Sequence, residues 1–309
     1  MSTTPLKNNL TTAINSTSTG SLSLDVALGT RGFTWGRLVE LSGDAGVGKS
    51  TLALNSIHDC QLNGGIGAYI DAEHAMDIGY VKALGIDLDN LVFSQPLNSE
   101  HVFEMVLKLI GIANVIVVDS IAALAPSDKG SSNYGVILSG GFARIRERLK
   151  GTETTVIFIN QLRNKCNPVT GHYESVSIGG QPVNNFMATR VRLFYGSGII
   201  DHEGALVGHH CNMRVLKHKD GQSGGYATTP ILYRKGVANS YETLKLGLRS
   251  GVIRRTSTGL FINGRIIGAN GSEAKFMLDK EPFLRSSINS ELLVGCLNSK
   301  PATDLLSLN

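Results

Sequence analysis

The chain of 309 residues has few cysteines, one tryptophan and no apolar run long enough to cross a membrane. Its four cysteines contain no CxxC pair, so the sequence predicts neither a disulfide framework nor a zinc cluster. They are Cys60, Cys166, Cys211 and Cys296. A membrane span needs roughly 18 apolar residues, and the stretch at 113–125 is cut by an asparagine and an aspartate. The first ten residues lack the apolar centre of a signal peptide, so we expect a reduced, cytoplasmic setting.

Charge of either sign is also scarce. The 29 Lys and Arg exceed the 25 Asp and Glu by only four, which permits an anionic partner without requiring one. Apolar residues make up 42% of the chain and charged residues 17%, which is typical of a globular protein and excludes a disordered one.

The strongest local pattern in the sequence is GxxxxGK[ST] at residues 43–51. It comprises Gly43, Asp44, Ala45, Gly46, Val47, Gly48, Lys49, Ser50 and Thr51. A β-prone run at 37–42 precedes it, and apolar residues at helical spacing follow over 52–62. Strand, glycine-rich loop and helix in that order predict a phosphate site, because loop N–H groups and the helix N-terminus attract an anion. In such a site Lys49 reaches the β- and γ-phosphates of ATP and Ser50 binds Mg²⁺.

Short apolar strands alternate with helical patterns from the glycine-rich loop to about residue 160. This alternation predicts an α/β fold, a P-loop NTPase core with a mainly parallel central sheet flanked by helices. Strand patterns after residue 186 predict an antiparallel extension of the sheet. We expect a short N-terminal segment at 1–20, the ATPase core at 21–235 and a small C-terminal α+β domain at 236–309.

Two buried strands end in polar groups that suit a nucleotide site. Residues 115–118 are apolar and are followed by Asp119, which is expected to hold Mg²⁺. Residues 155–159 are followed by an asparagine and then Gln161, which either senses the γ-phosphate or is simply a polar strand end.

Three carboxylates follow the strand at 66–71 and compete for one catalytic role. Asp71, Glu73 and Asp77 could each orient the water that attacks the γ-phosphate. Spacing does not choose among them.

Five stretches of the chain together resemble the bacterial RecA-type recombinases. They are residues 18–28, 70–75, 94–96, 115–123 and 158–163. The similarity runs from about Ser16 to about Leu278, and the combination is far more specific than the P-loop alone. The resemblance implies the RecA-like fold, ATP and Mg²⁺ as cofactors, and helical filaments of many copies on DNA.

The resemblance also implies a role for particular residues. Glu73 matches the glutamate that activates water, and Gln161 matches the switch that senses the γ-phosphate. Asp77 and Tyr80 match the residues that hold adenine and stack on it.

Two DNA-binding loops are implied at about 126–141 and 162–180. The residues expected to contact DNA in the second loop are Arg163, Lys165, Tyr173, Gly179 and Gly180. Lys217 and Lys219 resemble a lysine pair that reaches the neighbouring subunit's γ-phosphate in a filament. Judged from the residues alone, they are two lysines on one face of a predicted strand.

The chain departs from the family's pattern at its ends and in its loops. Its N-terminal segment is short and it lacks an acidic C-terminal tail, so filament stability and regulation are expected to differ more than ATP chemistry. A shortened recombinase of this kind suits a virus or mobile element.

Basic side chains are concentrated at 142–150 and 233–265, either as DNA contacts or as a solvated surface. His209 and His210 precede Cys211, but neighbours on a strand face opposite ways, so we expect a structural or solvent-facing pair and no metal site.

The predicted function is an ATP-dependent recombinase that forms filaments on single-stranded DNA and exchanges strands with homologous duplex DNA. One alternative is a DNA-dependent ATPase of helicase-like or regulatory type. The other is a non-catalytic filament or adaptor protein that binds ATP and DNA only as ligands.

Overall fold

The computed structural model describes residues 15–124, 134–166 and 172–298. The strands are β1 Ser16–Thr17, β2 Phe33–Thr34, β3 Leu38–Gly43, β4 Gly67–Asp71, β5 Leu91–Ser94, β6 Val115–Asp119, β7 Thr155–Asn160, β8 Leu162–Cys166, β9 Tyr173–Ser177, β10 Thr189–Ile200, β11 Leu206–His218, β12 Tyr226–Leu232, β13 Gly236–Val237, β14 Arg254–Thr256, β15 Gly259–Ile262 and β16 Arg265–Gly268. The helices are α1 Leu22–Leu28, α2 Lys49–Leu62, α3 Ile78–Ala83, α4 Ser99–Leu109, α5 Tyr134–Arg148, α6 Gly180–Phe186, α7 Asn239–Ser250, α8 Gly271–Lys280 and α9 Pro282–Asn298, and a 3₁₀ turn spans Ile121–Leu124.

Nine strands form the central sheet, in the order β13-β12-β11-β10-β3-β7-β6-β4-β5. The pairs from β10 to β5 are parallel, and the pairs from β10 to β13 are antiparallel. The prediction of a mainly parallel sheet with an antiparallel extension is therefore confirmed. Because β3, β4, β6 and β7 are parallel, the polar groups after these strands meet at one edge of the sheet.

Helices cover both faces of the sheet, which explains why its strands are continuously apolar. Val115 and Val117 join a cluster formed with α1, α2 and α3, whereas Ile116 and Val118 join a second cluster formed with α4 and α5. In the second cluster the Phe142 ring lies edge-on to two other phenylalanine rings, at 5.1 and 6.0 Å between centroids. The two-residue period of a strand thus places alternate side chains in different cores.

The C-terminal part has an apolar core of its own. Helices α7, α8 and α9 pack with the antiparallel sheet β14-β15-β16, and Leu22 of α1 joins this cluster. Strands β15 and β16 form an antiparallel hairpin in this sheet. Strand β13 still pairs with β12, so the chain leaves the central sheet after Val237. The domain limits given above stay a prediction.

The region of the first predicted loop, 126–141, differs from the expectation. Residues 134–141, which the sequence predicted to be loop, are the first half of α5, and residues 126–133 lie outside the described part. This segment contains three glycines, which are weak helix formers, so the sequence did not predict a helix here. Gly141 is required because a Cβ there would lie 2.4 Å from the Phe103 ring.

The second predicted loop, 162–180, contains an antiparallel hairpin. Strands β8 and β9 pair from Leu162↔Ser177 to Cys166↔Tyr173. Residues 167–171, between the two strands, and the first 14 residues of the N-terminal segment lie outside the described part. No helix in the described part of the chain is long and apolar enough to cross a membrane.

Candidate active site

The glycine-rich loop connects β3 to α2 in a conformation that only glycine adopts easily. Gly46 has φ 75° and Gly48 has φ 101°, both in the left-handed region. A Cβ on Gly48 would lie 2.3 Å from Cδ1 of Ile231, so Ile231 would have to move to make room for a side chain. Gly48 also caps α2, and no side chain bonds to the first N–H groups of that helix. These N–H groups and the helix dipole therefore suit a phosphate.

Lys49 points into this loop. Its Nζ donates to the carbonyl oxygens of Gly43, at 3.0 Å, and Asp44, at 2.6 Å. Burial lowers the pKa of Lys49, and the carboxylates of Asp119, Asp44 and Glu73 act in the opposite direction. The ammonium group is thus held where phosphates would lie between the loop and the sheet edge.

Ser50, in the first turn of α2, lies beside Asp119 at the end of β6. Ser50 Oγ donates to Asp119 Oδ2 at 2.7 Å, and the Tyr69 hydroxyl donates to the same oxygen at 2.6 Å. Burial raises the pKa of Asp119, while the two hydroxyl groups lower it. A hydroxyl beside a carboxylate is a donor set that fits Mg²⁺, which binds hard oxygen ligands and keeps several waters.

The structure separates the three competing carboxylates. Asp71 is buried and accepts bonds from the N–H groups of Ala75, at 3.2 Å, and Met76, at 3.0 Å, and from Gln95 Nε2 at 2.9 Å. Asp77 caps α3 by accepting the N–H groups of two residues in its first turn. Both carboxylates are therefore occupied in holding the backbone.

Glu73 and Asp77 are both exposed, but only Glu73 meets polar side chains across the site among the described residues. Its Oε1 accepts from Gln161 Nε2 at 3.0 Å and from Ser120 Oγ. The backbone N–H of Glu73 donates to the carbonyl oxygen of Asp119 at 3.2 Å, so Glu73 is held beside the Ser50–Asp119 pair. The partner Ser120 was missed by the sequence interpretation, although it directly follows Asp119.

The cleft around these groups has a volume of about 780 Å³, within the range of small-molecule sites. Its lining includes Asp77 and Tyr80, and the Tyr80 hydroxyl hydrogen-bonds Thr51 at 2.8 Å. Arg234 also lines this cleft and was not singled out from the sequence.

A second, basic groove of about 830 Å³ lies beside the β8–β9 hairpin. Its lining includes Tyr134 of α5 and four basic side chains. These are Arg163, Lys165, Arg190 and Arg192. Arg190 is paired with Glu40 at 2.5 Å, whereas Arg163 and Lys165 are exposed on the hairpin. Parts of both predicted DNA loops therefore line one groove.

Of the remaining residues predicted for the second loop, the two glycines line the same groove. Tyr173 is 74% exposed at the start of β9. Gly179 and Gly180 line the groove and have φ 91° and 55°, at the start of α6. A Cβ on Gly179 would lie 2.7 Å from Val183, so this turn also needs glycine.

Lys217 and Lys219 do not line the ATP cleft of their own chain. Lys217 Nζ donates to the carbonyl oxygen of Asn184 at 2.6 Å. Burial, with Lys219 and Arg190 nearby, lowers the pKa of Lys217. Lys219 lies one residue beyond the end of β11, so the pair is not on one strand as the sequence predicted.

His209 is buried beneath the glycine-rich loop, a position that the sequence interpretation did not specify. Its ring stacks on Tyr195 with centroids 4.1 Å apart, and its Nε2 lies 3.4 Å from the Val47 carbonyl oxygen. The two-residue period of a strand is the signal that could have indicated this burial, because His209 lies on the same strand face as the buried Cys211. The described residues hold no cluster of three or more metal-ligating side chains.

The loop, the Ser50–Asp119 pair and the Glu73–Gln161 pair define a P-loop ATPase site at the edge of a parallel sheet. A family model described as the RecA N-terminal domain matches residues 2–238. Among similar proteins is one named Protein RecA from Desulforapulum autotrophicum, which is 34% identical over 89% of this chain and 82% of its own length. Another, from Thioalkalivibrio sulfidiphilus, is 33% identical over 90% of this chain and 84% of its own length. A third, from Staphylococcus aureus, is 32% identical over 93% of this chain and 85% of its own length.

The chain belongs to the RecA family. The members of this family are DNA-dependent ATPases of recombination and repair, so the predicted family and class of enzyme are confirmed.

Proposed function

We propose that this chain assembles as a helical filament on single-stranded DNA, pairs it with homologous duplex DNA and hydrolyses Mg²⁺-bound ATP to leave the DNA. The observation that carries the proposal is the contact between Glu73 and Gln161. This contact joins the candidate base for hydrolysis, Glu73, to the residue that directly precedes the basic β8–β9 hairpin. The proposed setting is the cytoplasm, the compartment that keeps thiols reduced.

In the proposed ATP site, N–H groups of residues 44–50 surround the β-phosphate and Lys49 contacts the β- and γ-phosphates. Ser50 and Asp119 would hold Mg²⁺, which neutralises charge on the phosphate oxygens. Glu73 accepts a proton from the attacking water, a role supported by its exposure and by the structural bonds of the other two carboxylates. Asp77 and Tyr80 hold the adenine end.

Gln161 is proposed to transmit the state of ATP to the DNA. Its amide bonds Glu73, while its carbonyl oxygen accepts the N–H of Ile178 at 3.2 Å, immediately beyond the hairpin. If the γ-phosphate competes for the amide, the Gln161 backbone shifts and the hairpin that begins at the next residue moves with it. Nucleotide and DNA then favour the same conformation, and each tightens binding of the other.

The basic groove is the proposed DNA site. Exposed Arg163 and Lys165 would contact phosphates without regard to sequence, so binding would weaken steeply with salt. The exposed ring of Tyr173 offers a surface on which a base can stack. Gly179 and Gly180 allow the chain to turn back along the groove.

Lys217 and Lys219 are proposed to complete the ATP site of an adjacent copy. Their position outside the cleft of their own chain supports an action across a filament interface. Hydrolysis would then require assembly, because a single copy lacks two of the cations near the γ-phosphate.

The first test is ATP hydrolysis at low salt, with no DNA, with single-stranded DNA and with duplex DNA. We expect strong stimulation by single strands, since assembly on DNA completes the shared site. A rate that is the same in all three conditions would require strand exchange to be withdrawn.

A second test separates binding from chemistry. Glu73→Gln should bind ATP normally and hydrolyse it about 10²- to 10⁴-fold more slowly, and its filaments should persist. Glu104→Gln, at an exposed site on α4, is the matched control and should behave as wild type. Normal turnover by the Glu73 variant would show that the base lies elsewhere. Lys49→Ala should abolish ATP-dependent assembly.

A further inference from the structure

We infer that His218 is a positioning residue for Lys217 and Lys219: its ring fixes the turn beside which the two lysines lie, so that both are in place when the ATP site of another copy meets them. This inference rests on the proposed action of the lysine pair across a filament interface. It adds to that proposal the residue that lies between the two lysines.

The ring of His218 joins three segments of the chain. His218 is the last residue of β11 and is only 4% exposed. Its Nε2 lies 2.9 Å from Thr30 Oγ1, in the connection between α1 and β2. Its Nδ1 lies 2.8 Å from Oγ1 of Thr189, the first residue of β10. Both threonines are buried, so the end of β11 is fixed to two other segments inside the protein.

The hydrogen bonds of Thr30 determine which ring nitrogen carries the proton. Thr30 Oγ1 donates its only hydrogen to the carbonyl oxygen of Gly32 at 2.7 Å, so it accepts a hydrogen from Nε2 of His218. The other nitrogen of a neutral imidazole is an acceptor, so Nδ1 accepts from the hydroxyl of Thr189. Burial lowers the pKa of His218, although Asp220 acts in the opposite direction, which agrees with a neutral ring.

The turn after β11 folds against this ring. The N–H of His218 donates to Ser223 Oγ at 2.9 Å, and a Cβ on Gly221 would lie 2.6 Å from the ring. The turn therefore packs directly on the imidazole. At the start of the turn the N–H of Lys219 donates to the carbonyl oxygen of Ala188 at 3.0 Å, just before β10. The position of Lys219 thus depends on a turn that the ring supports.

The two lysines need such support because their charges repel. Burial and the charge of Lys219 lower the pKa of Lys217, whose Nζ donates to the carbonyl oxygen of Asn184 at 2.6 Å. Asp220, the carboxylate next to Lys219, is already paired with Arg37 at 2.8 Å. Two cations held close together by a fixed backbone attract a polyphosphate without the cost of bringing them together at the moment of reaction.

The test measures hydrolysis on single-stranded DNA beside ADP binding by the chain without DNA. His218→Phe keeps a buried ring but has neither nitrogen. It should lower kcat on DNA about 10²-fold, because a small displacement of the lysines is enough. It should leave ADP affinity unchanged, since neither lysine lines the ATP cleft of its own chain. Thr30→Val removes only the acceptor of the Nε2 hydrogen and should lower kcat by less, which provides the same test if the histidine variant does not fold.

A combined variant separates positioning from general damage to the fold. In a chain that already carries Lys217→Ala and Lys219→Ala, His218→Phe should not lower kcat further, since the side chains that it positions are gone. His101→Phe, at an exposed histidine on α4, is the matched control and should keep the wild-type kcat and ADP affinity.

The outcomes are distinct. A wild-type kcat in both His218→Phe and Thr30→Val would overturn the inference, as would a loss of ADP affinity or a further loss of kcat in the chain without the two lysines. If the chain that lacks only the two lysines hydrolyses ATP on DNA at the wild-type rate, the proposed role of the lysine pair is itself wrong and the inference falls with it.

Discussion

Asp25 is expected to make the stability of the fold depend on pH. Asp25 lies in the first turn of α1 and is 3% exposed, and its Oδ1 accepts the N–H of Thr19 at 2.8 Å. Ser18 Oγ lies 3.0 Å from Asp25 Oδ2 and 2.8 Å from Asp59 Oδ2. One hydroxyl proton cannot make a full hydrogen bond to both oxygens, so a proton on one of the two carboxyl groups would supply the missing donor. Burial raises the pKa of both groups, and that of Asp25 to about 8, so we expect Asp25 to carry a proton near neutral pH.

The pKa of Asp25 sets the direction and the size of the change in the free energy of unfolding with pH. The unfolded carboxyl ionises near pH 4, whereas the folded one ionises near pH 8, so the folded state binds more protons between these values. The free energy of unfolding therefore falls as pH rises through this window. At about 1.4 kcal/mol per pH unit, the change from pH 5 to pH 7.5 is about 3 kcal/mol from this group.

Asp25→Asn removes the titration and keeps the bonds, because the amide can donate to Ser18 Oγ and accept from Thr19. Urea unfolding of both proteins should be followed at pH 5 and 7.5 by circular dichroism and by fluorescence of Trp35, the chain's single tryptophan. We expect the pH dependence of the variant to be smaller than that of wild type by about 3 kcal/mol.

Asp89→Asn, at an exposed carboxylate, is the control and should keep the wild-type pH dependence. The same pH dependence in Asp25→Asn and wild type would refute the reasoning, since it would mean that Asp25 is ionised in the folded protein.

Three further predictions test the sites. Gly48→Ala should abolish nucleotide binding, because its Cβ would lie 2.3 Å from Ile231 at φ 101°; Gly46→Ala, with open space around its Cβ, should retain more affinity in the same titration. Arg163→Ala should weaken single-stranded DNA binding and lower the slope of log affinity against log salt by about one, and an unchanged slope would exclude a phosphate contact. Tyr69→Phe removes the hydroxyl at the proposed metal carboxylate, so the Mg²⁺ needed for half-maximal hydrolysis should rise about 10-fold or more, whereas an unchanged requirement would count against that metal site.

Local patterns in the sequence were enough to predict much of the site. The P-loop glycines could be predicted because glycine permits the backbone conformations that the loop needs. Asp119 and Gln161 could be predicted because they follow buried strands. These inferences concern residues close together in the chain or at the ends of parallel strands, where geometry follows from the pattern itself. The alternation of strands and helices predicted the parallel sheet for the same reason.

The sequence could not choose among Asp71, Glu73 and Asp77, because all three have suitable chemistry and spacing. The tertiary structure separates them through their partners: Asp71 bonds backbone N–H groups, Asp77 caps α3 and Glu73 meets Gln161. These partners come from other turns or strands, so no local pattern contains them.

Burial and long-range packing decided the remaining features. Asp25 looks like an ordinary helix residue until Ser18 and Asp59 are placed beside it, and Arg234 looks like a surface arginine until β12 and β13 bring its turn to the ATP cleft. Charge and hydrogen-bond capacity belong to each residue by itself. What those groups contact, and how much water surrounds them, depends on segments that are distant in sequence, and only the folded chain brings these together.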